Sequence, residues 1–156
     1  MTDKTVQRLN ELGIELPPAL TPIANFLPVT IAGNMAYVSG QIAVLNGAIQ
    51  HLGLLGQDVS IEQAQAAARL AALHVISQLN VSLHGQLDRV KQCMRLGVFV
   101  AATAEFKDHP KVANGASDVL VEIFQERGKH ARAAVGVASL PFGASVEVDA
   151  IFELLS

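Results

Sequence analysis

The sequence predicts an α+β fold in which one mixed β-sheet carries two helices on one face. Six segments are rich in alternating β-branched residues, and two segments, beginning near residues 60 and 109, have apolar residues at helical spacing. After a short N-terminal helix the order is βββαβαββ, which favours one sheet layered against both long helices. We expect a single domain over residues 1–156, in which residues 1–21 form the first helix and an extended lead-in.

The first helix is predicted in TDKTVQRLNELG. Thr2 or Asp3 can cap its N-terminus, and Gly13 can end it. One face of this helix carries the apolar residues Val6, Leu9 and Leu12. The proline-rich stretch LPPALTP then breaks the structure before the strands begin.

The first three strands are predicted between residues 25 and 53. Gly33-Asn34 separates the two β-rich runs of NFLPVTIAGNMAYVSGQIAV, and such a pair is typical of a tight hairpin. GAIQHLG is expected to form a third strand.

The first long helix is predicted from Ser60 to about Leu83. Ser60 and Gln63 have the spacing of a capping box. Its apolar face consists of Ile61, Ala64, Ala68, Ala71, Val75 and Leu79. His74 and His84 have no partner at metal-ligand spacing, so we expect both on or near the surface and no metal site.

The second long helix is predicted to open at Asp108-His109-Pro110, because proline fits the first turn, and to end at Gly128. Its buried face is expected to contain Val112, Ala116, Val119, Leu120, Ile123 and Phe124. The strand RVKQCMRLGVFVAAT precedes this helix, and HARAAVGVA and SVEVDAIFEL follow it. Cys93 lies in the first of these strands without a basic neighbour, which favours structural burial over a nucleophile.

Composition limits the partners that this chain can have. It has 11 Lys and Arg against 14 Asp and Glu, a net charge of −3, and offers no positive field for a nucleic acid. Charged residues make up 16% of the chain, against roughly 25% in an average soluble protein, so an oligomer that hides apolar surface is expected. The polar N-terminus and the single cysteine favour a cytoplasmic protein with no membrane segment.

Arg132 stands among alanines and valines in KHARAAVGVASLPFGASVEVDAI, with no acid beside it in sequence. A guanidinium is costly to bury unless an anion meets it. Alternation places Arg132 on one strand face with small neighbours, which leaves room for a ligand or for another subunit. The members of this face are His130, Arg132, Ala134, Gly136 and Ala138. The opposite face, Ala131, Ala133, Val135 and Val137, is expected to be core.

Two interpretations of Arg132 stay open on spacing alone. Arg132 can bind an anionic ligand, or it can form a salt bridge with Glu122, Glu126 or Glu147. Alternation allows Glu147 to lie on the same side of the sheet as Arg132 but does not pair the two residues.

Three segments resemble the RidA/YjgF family of reactive-intermediate (enamine/imine) deaminases. They are MAYVSGQIAV, EFKDHPKVANGASDVLVEIFQERG and HARAAVGVASLPFGASVEVDAI. The resemblance runs from about Pro22 to Phe152. It implies a chorismate-mutase-like fold, a homotrimer with clefts between subunits, and cofactor-free hydrolysis of 2-aminoacrylate-type enamines and imines to 2-oxo acids and ammonia.

The resemblance also implies site residues. Arg132 matches the arginine that binds the substrate carboxylate, and Glu147 matches the cleft glutamate, which would act as general base or hold the water. Ser39 and Gly40 match positions that hydrogen-bond substrate, and Asn114 matches a polar residue that lines the cleft. His130 is a candidate for the cleft rim.

This chain departs from the family pattern at two cleft positions. Phe26 stands where a tyrosine is common, and Ala134 stands where many members have a cysteine. Both changes make the pocket less polar, so a non-catalytic trimer that binds 2-oxo acids or regulates a partner is the alternative. A ribonuclease or translation inhibitor is disfavoured, because the chain lacks a basic cluster and has one Tyr and no Trp for base stacking.

Overall fold

The computed structural model describes residues 2–156, and its helices and strands follow one another nearly as predicted. They are α1 (Lys4–Leu12), β1 (Val29–Ala32), β2 (Met35–Ile42), β3 (Val44–Leu45), β4 (Ala48–Ile49), α2 (Ile61–Ser82), β5 (Val90–Ala101), α3 (His109–Phe124), β6 (Ala131–Val137) and β7 (Val146–Leu154).

A five-stranded mixed sheet in the order β1-β2-β7-β5-β6 forms the centre of the fold. Only the β5–β6 pair is parallel, because α3 connects these two strands. Helix α2 packs on β2 and β7, and α3 packs on β5 and β6. The strand residues buried beneath the helices include Ala36, Val38, Leu96, Val98, Val148 and Phe152. The predicted α+β class, with two helices on one face of a mixed sheet, is confirmed.

The predicted third strand is wrong as a member of this sheet. Of GAIQHLG, only Ala48–Ile49 is extended, and it pairs with Val44–Leu45 in a separate two-stranded ribbon. Asn46 and Gly47 make the turn of the ribbon with positive φ angles. Alternation identified an extended segment but could not show which strand it pairs with.

Helix α2 begins as predicted, but the expectation that both of its histidines lie on or near the surface is wrong for one of them. Ser60 Oγ accepts from the Gln63 amide at 3.1 Å, and the Gln63 side chain accepts from the Ser60 amide at 3.0 Å. His84 is exposed, as expected. His74, expected on or near the surface, is only 1% exposed. Its Nε2 donates to the carbonyl of Val44 at 2.8 Å and so ties the ribbon to the helix. Burial lowers the pKa of His74, against the opposing effect of this hydrogen bond.

Helix α3 lies very close to α2 at Gly115. A side chain at Gly115 would collide with the backbone carbonyl of Gln65 on α2, so only glycine allows this approach. All six residues of its predicted apolar face are buried. The helix ends at Phe124 and a 3-10 turn follows to Gly128, so Gly128 ends that turn rather than the helix.

Cys93 is fully buried in β5, as predicted. Burial raises the pKa of its thiol to about 12, against a small opposing effect of the backbone hydrogen bond at Arg95. The thiol therefore stays protonated at neutral pH and is no nucleophile.

Helix α1 is held against the body of the protein by Asp88. The Asp88 carboxylate accepts from the amide of Lys4 at 2.7 Å and from the amide and hydroxyl of Thr5 at 2.9 and 2.8 Å. In return, Asp3, which caps α1, accepts from the Asp88 amide at 2.7 Å. Burial alone would raise the pKa of Asp88, but the hydrogen bonds from Lys4 and Thr5 outweigh it and hold this pKa below its usual value.

Asp88→Asn should destabilise the protein by about 1 kcal/mol at pH 7, because the amide cannot replace a carboxylate that accepts three hydrogen bonds. The lowered pKa means that the native carboxylate stabilises the fold above about pH 4 and that this contribution disappears as pH falls through the native pKa. Urea unfolding at several pH values measures both effects. Asp118→Asn, on an exposed carboxylate without a hydrogen bond among residues 2–156, is the control. Equal stability of the two variants at pH 7 would contradict the role given to Asp88.

Candidate functional site

Arg132 lies on the edge strand β6 with its guanidinium exposed and held by two neutral acceptors of α3. Nη1 donates to Asn114 Oδ1 at 2.9 Å and to Ser117 Oγ at 3.1 Å. These bonds use both hydrogens of Nη1, whereas Nε and Nη2 meet no acceptor among residues 2–156. One edge of the planar fork is therefore available to a carboxylate.

The salt-bridge interpretation of Arg132 is wrong within one chain. Glu122 instead pairs with Arg69 across the two helices at 3.0 Å, and Glu126 pairs with Lys129 at 2.7 Å. Glu147 lies on another part of the sheet. Within the described chain, Arg132 keeps its charge without an anionic partner.

Ser117 and His130 extend the contacts of Arg132 to the backbone. Ser117 Oγ lies 2.8 Å from His130 Nε2, and His130 Nδ1 lies 2.6 Å from the carbonyl oxygen of Gly128. His130 was a candidate from the sequence, whereas Ser117 was not. The available signal was the N-x-x-S spacing of Asn114 and Ser117, since residues three apart share a helix face.

Glu147 lies on β7 beside a β-bulge in β2. The pairing of β2 with β7 shifts between Val38 and Gln41, so that one extra residue falls in the Ser39-Gly40 step. A methyl group at Gly40 would come within 2.8 Å of Glu147 Cδ, so the missing side chain makes room for this carboxyl group. Ser39 Oγ donates to the carbonyl of Leu27 at 2.7 Å, which leaves its lone pairs to accept from a ligand.

A groove of about 800 Å³ opens at this bulge. Phe26, Ser39, Gly40 and Glu147, all named from the sequence, are among its lining residues. Most of the remaining wall is apolar, and Phe26 is 50% exposed. Neither Arg132 nor Asn114 lines this groove.

The strand register separates the two groups of predicted residues. Glu147 pairs with Phe99, and Phe99 pairs with Val135. These three residues therefore share the face of the sheet that the helices do not cover, which we call the open face. Arg132 pairs with Leu96, which is buried under the helices. The interpretation that places Arg132 and Glu147 on one side of the sheet is therefore wrong. They are also two strands and three residues apart, roughly 10 Å in each direction.

The predicted assignment of the two β6 faces is also reversed. Ala134, on the face of Arg132, is half-buried and packs against the core beneath α3, whereas Val135, expected in the core, is 44% exposed. Beyond Ala134, the imidazole of His109 covers Gly136. Alternation assigned residues to two faces correctly but could not tell which face the helix covers.

We call these groups the arginine half-site (Asn114, Ser117, His130 and Arg132) and the glutamate half-site (Phe26, Ser39, Gly40 and Glu147). Burial raises the pKa of Glu147, and the neighbouring charge of Asp149 raises it further. A glutamate with a raised pKa is suited to proton transfer near neutral pH.

Two classes of feature are absent from the part of the chain that the structure describes. Residues 2–156 contain no cluster of three or more His, Cys, Asp or Glu side chains that could hold a metal ion. No helix in this range is long and apolar enough to cross a membrane.

Comparison with known proteins agrees with this fold. The family model described as "YjgF/chorismate mutase-like, putative endoribonuclease" matches residues 6–154, which includes most of α1. Protein TCP17 of Trypanosoma cruzi is 45% identical over 152 residues, 97% of this chain and 94% of that protein. The crystal structure of Atu1372 from Agrobacterium tumefaciens is 46% identical with a TM-score of 0.91, covering 98% of this chain and 94% of that one.

A crystal structure of a "putative endoribonuclease" from Shewanella oneidensis is 36% identical with a TM-score of 0.92, covering 96% of this chain and 99% of that one. The mixed sheet under two helices is thus the chorismate-mutase-like α+β fold. Within that class, the chain belongs to the RidA/YjgF family.

Glu147→Gln should make the protein more stable at pH 7 and leave its stability unchanged well below pH 4. The raised pKa means that the native state binds its proton more tightly than the unfolded chain, so this group costs stability as pH rises from about 4 through the native pKa. Urea unfolding between pH 3 and 8 measures the difference, with Glu105→Gln on an exposed loop as the control. The same pH dependence in both variants would contradict the environment described for Glu147.

Proposed function

We propose that the protein hydrolyses reactive 2-aminoacrylate-type enamines and imines to 2-oxo acids and ammonia, without a cofactor, in clefts where two copies of the chain meet. The observation that carries this proposal is Arg132, whose open Nε–Nη2 edge meets no anion among residues 2–156. Family membership supports the reaction class, and the two half-sites supply groups suited to it.

Carboxylate binding is the role of the arginine half-site. A planar guanidinium binds a carboxylate through two parallel, charge-assisted hydrogen bonds. Asn114 and Ser117 occupy Nη1 alone, so the edge formed by Nε and Nη2 remains for the substrate. Asn114 therefore acts by holding Arg132, in place of the substrate contact that family resemblance implies.

Water addition is the role of the glutamate half-site. The enamine first takes a proton from solvent at carbon and becomes the iminium ion. Glu147 accepts a proton from water as the water oxygen bonds to the iminium carbon, which gives a neutral carbinolamine. Glu147 returns this proton to the nitrogen, and ammonia leaves as the hydroxyl group loses its proton to solvent and becomes the carbonyl of the 2-oxo acid. The lone pairs of Ser39 Oγ can accept from the imine or amine N–H.

The open face of the sheet supports assembly of several copies. Tyr37 and Val135 are 45% and 44% exposed there, beside the half-buried Phe99 and Ile151. The same face also carries the ion pair of Arg95 with Asp149, so it is mixed in character. Its exposed apolar side chains are stabilised when another subunit covers them. We propose the homotrimer implied by the family, with the arginine half-site of one copy against the glutamate half-site of the next.

The second candidate is a trimer that binds small carboxylates without efficient turnover. The observation that favours it is the apolar groove: Phe26 lines it without a hydroxyl group, and Ala134 packs into the core without a polar atom. The endoribonuclease description of relatives is not carried over, because a net charge of −3 does not favour a polyanion.

Wild-type protein should accelerate the appearance of 2-oxo acid when 2-aminoacrylate is generated in situ by a dehydratase. Arg132→Ala should reduce kcat/KM about a hundredfold or more, since it removes two charge-assisted hydrogen bonds. Arg132→Lys should reduce kcat/KM almost as much, because an ammonium group cannot reproduce the planar pair of donors of the guanidinium. Arg89→Lys, at an exposed arginine without a side-chain hydrogen bond among residues 2–156, is the matched control.

No acceleration by wild type over the spontaneous rate would refute the deaminase proposal for this substrate. Calorimetry with 2-oxobutyrate then separates the alternatives. Binding that Arg132→Ala abolishes would favour the carboxylate-binding trimer, and normal affinity in Arg132→Lys would show that the fork geometry is unimportant.

Sedimentation equilibrium should give three times the chain mass of 16.5 kDa. Val135→Lys should shift this mass towards that of one chain, because it places a charge among the apolar side chains of the open face, where another subunit would bury it. Lys107→Ala, on an exposed loop, should leave the mass unchanged. A wild-type mass near that of one chain would refute the inter-subunit cleft.

A further inference from the structure

We propose that Ser117 and His130 are positioning residues that fix the guanidinium of Arg132 so that its Nε–Nη2 edge faces the cleft. This inference rests on the proposed function for its consequence in catalysis. Its structural content, an ordered arginine side chain in the protein without ligand, is testable separately.

Hydrogen bonds link Arg132, Ser117, His130 and the Gly128 carbonyl in series. When His130 is neutral, only one assignment of donors and acceptors satisfies all of them. The Gly128 carbonyl can only accept, so the hydrogen of the imidazole lies on Nδ1. Nε2 is then an acceptor and receives the hydroxyl hydrogen of Ser117. The Ser117 oxygen is left to accept from Arg132 Nη1, and this is the bond found at 3.1 Å.

The Gly128 end of this series of hydrogen bonds is fixed by the fold. Gly128 is buried, and a side chain there would collide with the backbone carbonyl of Leu120 on α3, so this backbone is packed directly against the helix. The Arg132 end needs to be held by hydrogen bonds. Arg132 is exposed, and Ala134, the next residue on the same face of β6, is too small to pack along its side chain. Hydrogen bonding must therefore order this flexible side chain.

Asn114 alone does not determine the orientation of the guanidinium. One hydrogen bond to Nη1 leaves the plane of the group free to turn about that contact, whereas two acceptors on the same nitrogen define it. Ser117 supplies the second acceptor, and His130 holds the Ser117 hydroxyl so that its oxygen faces Arg132.

The experiment is NMR spectroscopy of full-length protein with labelled arginine side chains, combined with calorimetry and kinetics on the same variants. The Arg132 signals are assigned by their loss in Arg132→Lys. In the unliganded wild type we expect slowed rotation of the guanidinium, seen as separate Nη signals. Ser117→Ala and His130→Phe should merge these signals, and Ser117→Thr, which keeps the hydroxyl group, should restore them.

In the same variants we expect Ser117→Ala to raise KM and the Kd for 2-oxobutyrate about tenfold with little change in kcat, since it removes one hydrogen bond to a charged group. Ser117→Ala combined with His130→Phe should raise KM and the Kd no more than either change alone, because both interrupt the same series of hydrogen bonds. Ser82→Ala is the control: it removes a half-buried helical serine without a side-chain hydrogen bond among residues 2–156.

Separate Nη signals that persist in Ser117→Ala, or additive effects in the double variant, would overturn the inference. If the wild type neither binds nor hydrolyses the ligands, the proposed function fails for them. The inference would still stand or fall on whether Ser117→Ala merges the Arg132 signals.

Discussion

The separation of Arg132 from Glu147 by the sheet itself is the constraint on which this account depends. Arg132 extends from the helix-covered face of the edge strand β6, whereas Glu147 extends from the open face of the central strand β7. No side-chain rotation brings a guanidinium and a carboxylate together through a hydrogen-bonded sheet. One chain therefore contains both groups that the proposed reaction needs but cannot present them to one substrate.

The fold holds each half-site by a local feature of the backbone. At one, Gly115 brings α3 onto the backbone of α2, and this helix presents Asn114 and Ser117 to Arg132. At the other, the bulge at Ser39-Gly40 makes room for the Glu147 carboxyl group. For the proposed reaction each half-site is incomplete alone, and the exposed apolar side chains Tyr37 and Val135 on the same sheet give a physical reason for copies to associate.

Much of the fold was predictable because its signals are local. The capping box at Ser60, the Gly33-Asn34 hairpin and the apolar periodicity of α3 each depend on a few neighbouring residues. Contacts between distant segments were not predictable. The pairing partner of GAIQHLG, the burial of His74 by the ribbon, and the helix-covered face of β6 all depend on which elements meet in space. For the same reason the sequence identified Arg132 and Glu147 individually but could not show that they lie on opposite faces of the sheet.

The most direct test of the central claim is complementation between two inactive variants. Arg132→Ala and Glu147→Gln chains, each expected to have negligible activity under the proposed function, are unfolded together in equal amounts and refolded. If each cleft takes its arginine from one copy and its glutamate from another, random assembly should give about a quarter of wild-type activity, since that fraction of clefts receives both native residues. Activity no higher than that of the two variants refolded separately, in a mixture shown by mass to contain mixed oligomers, would contradict the account.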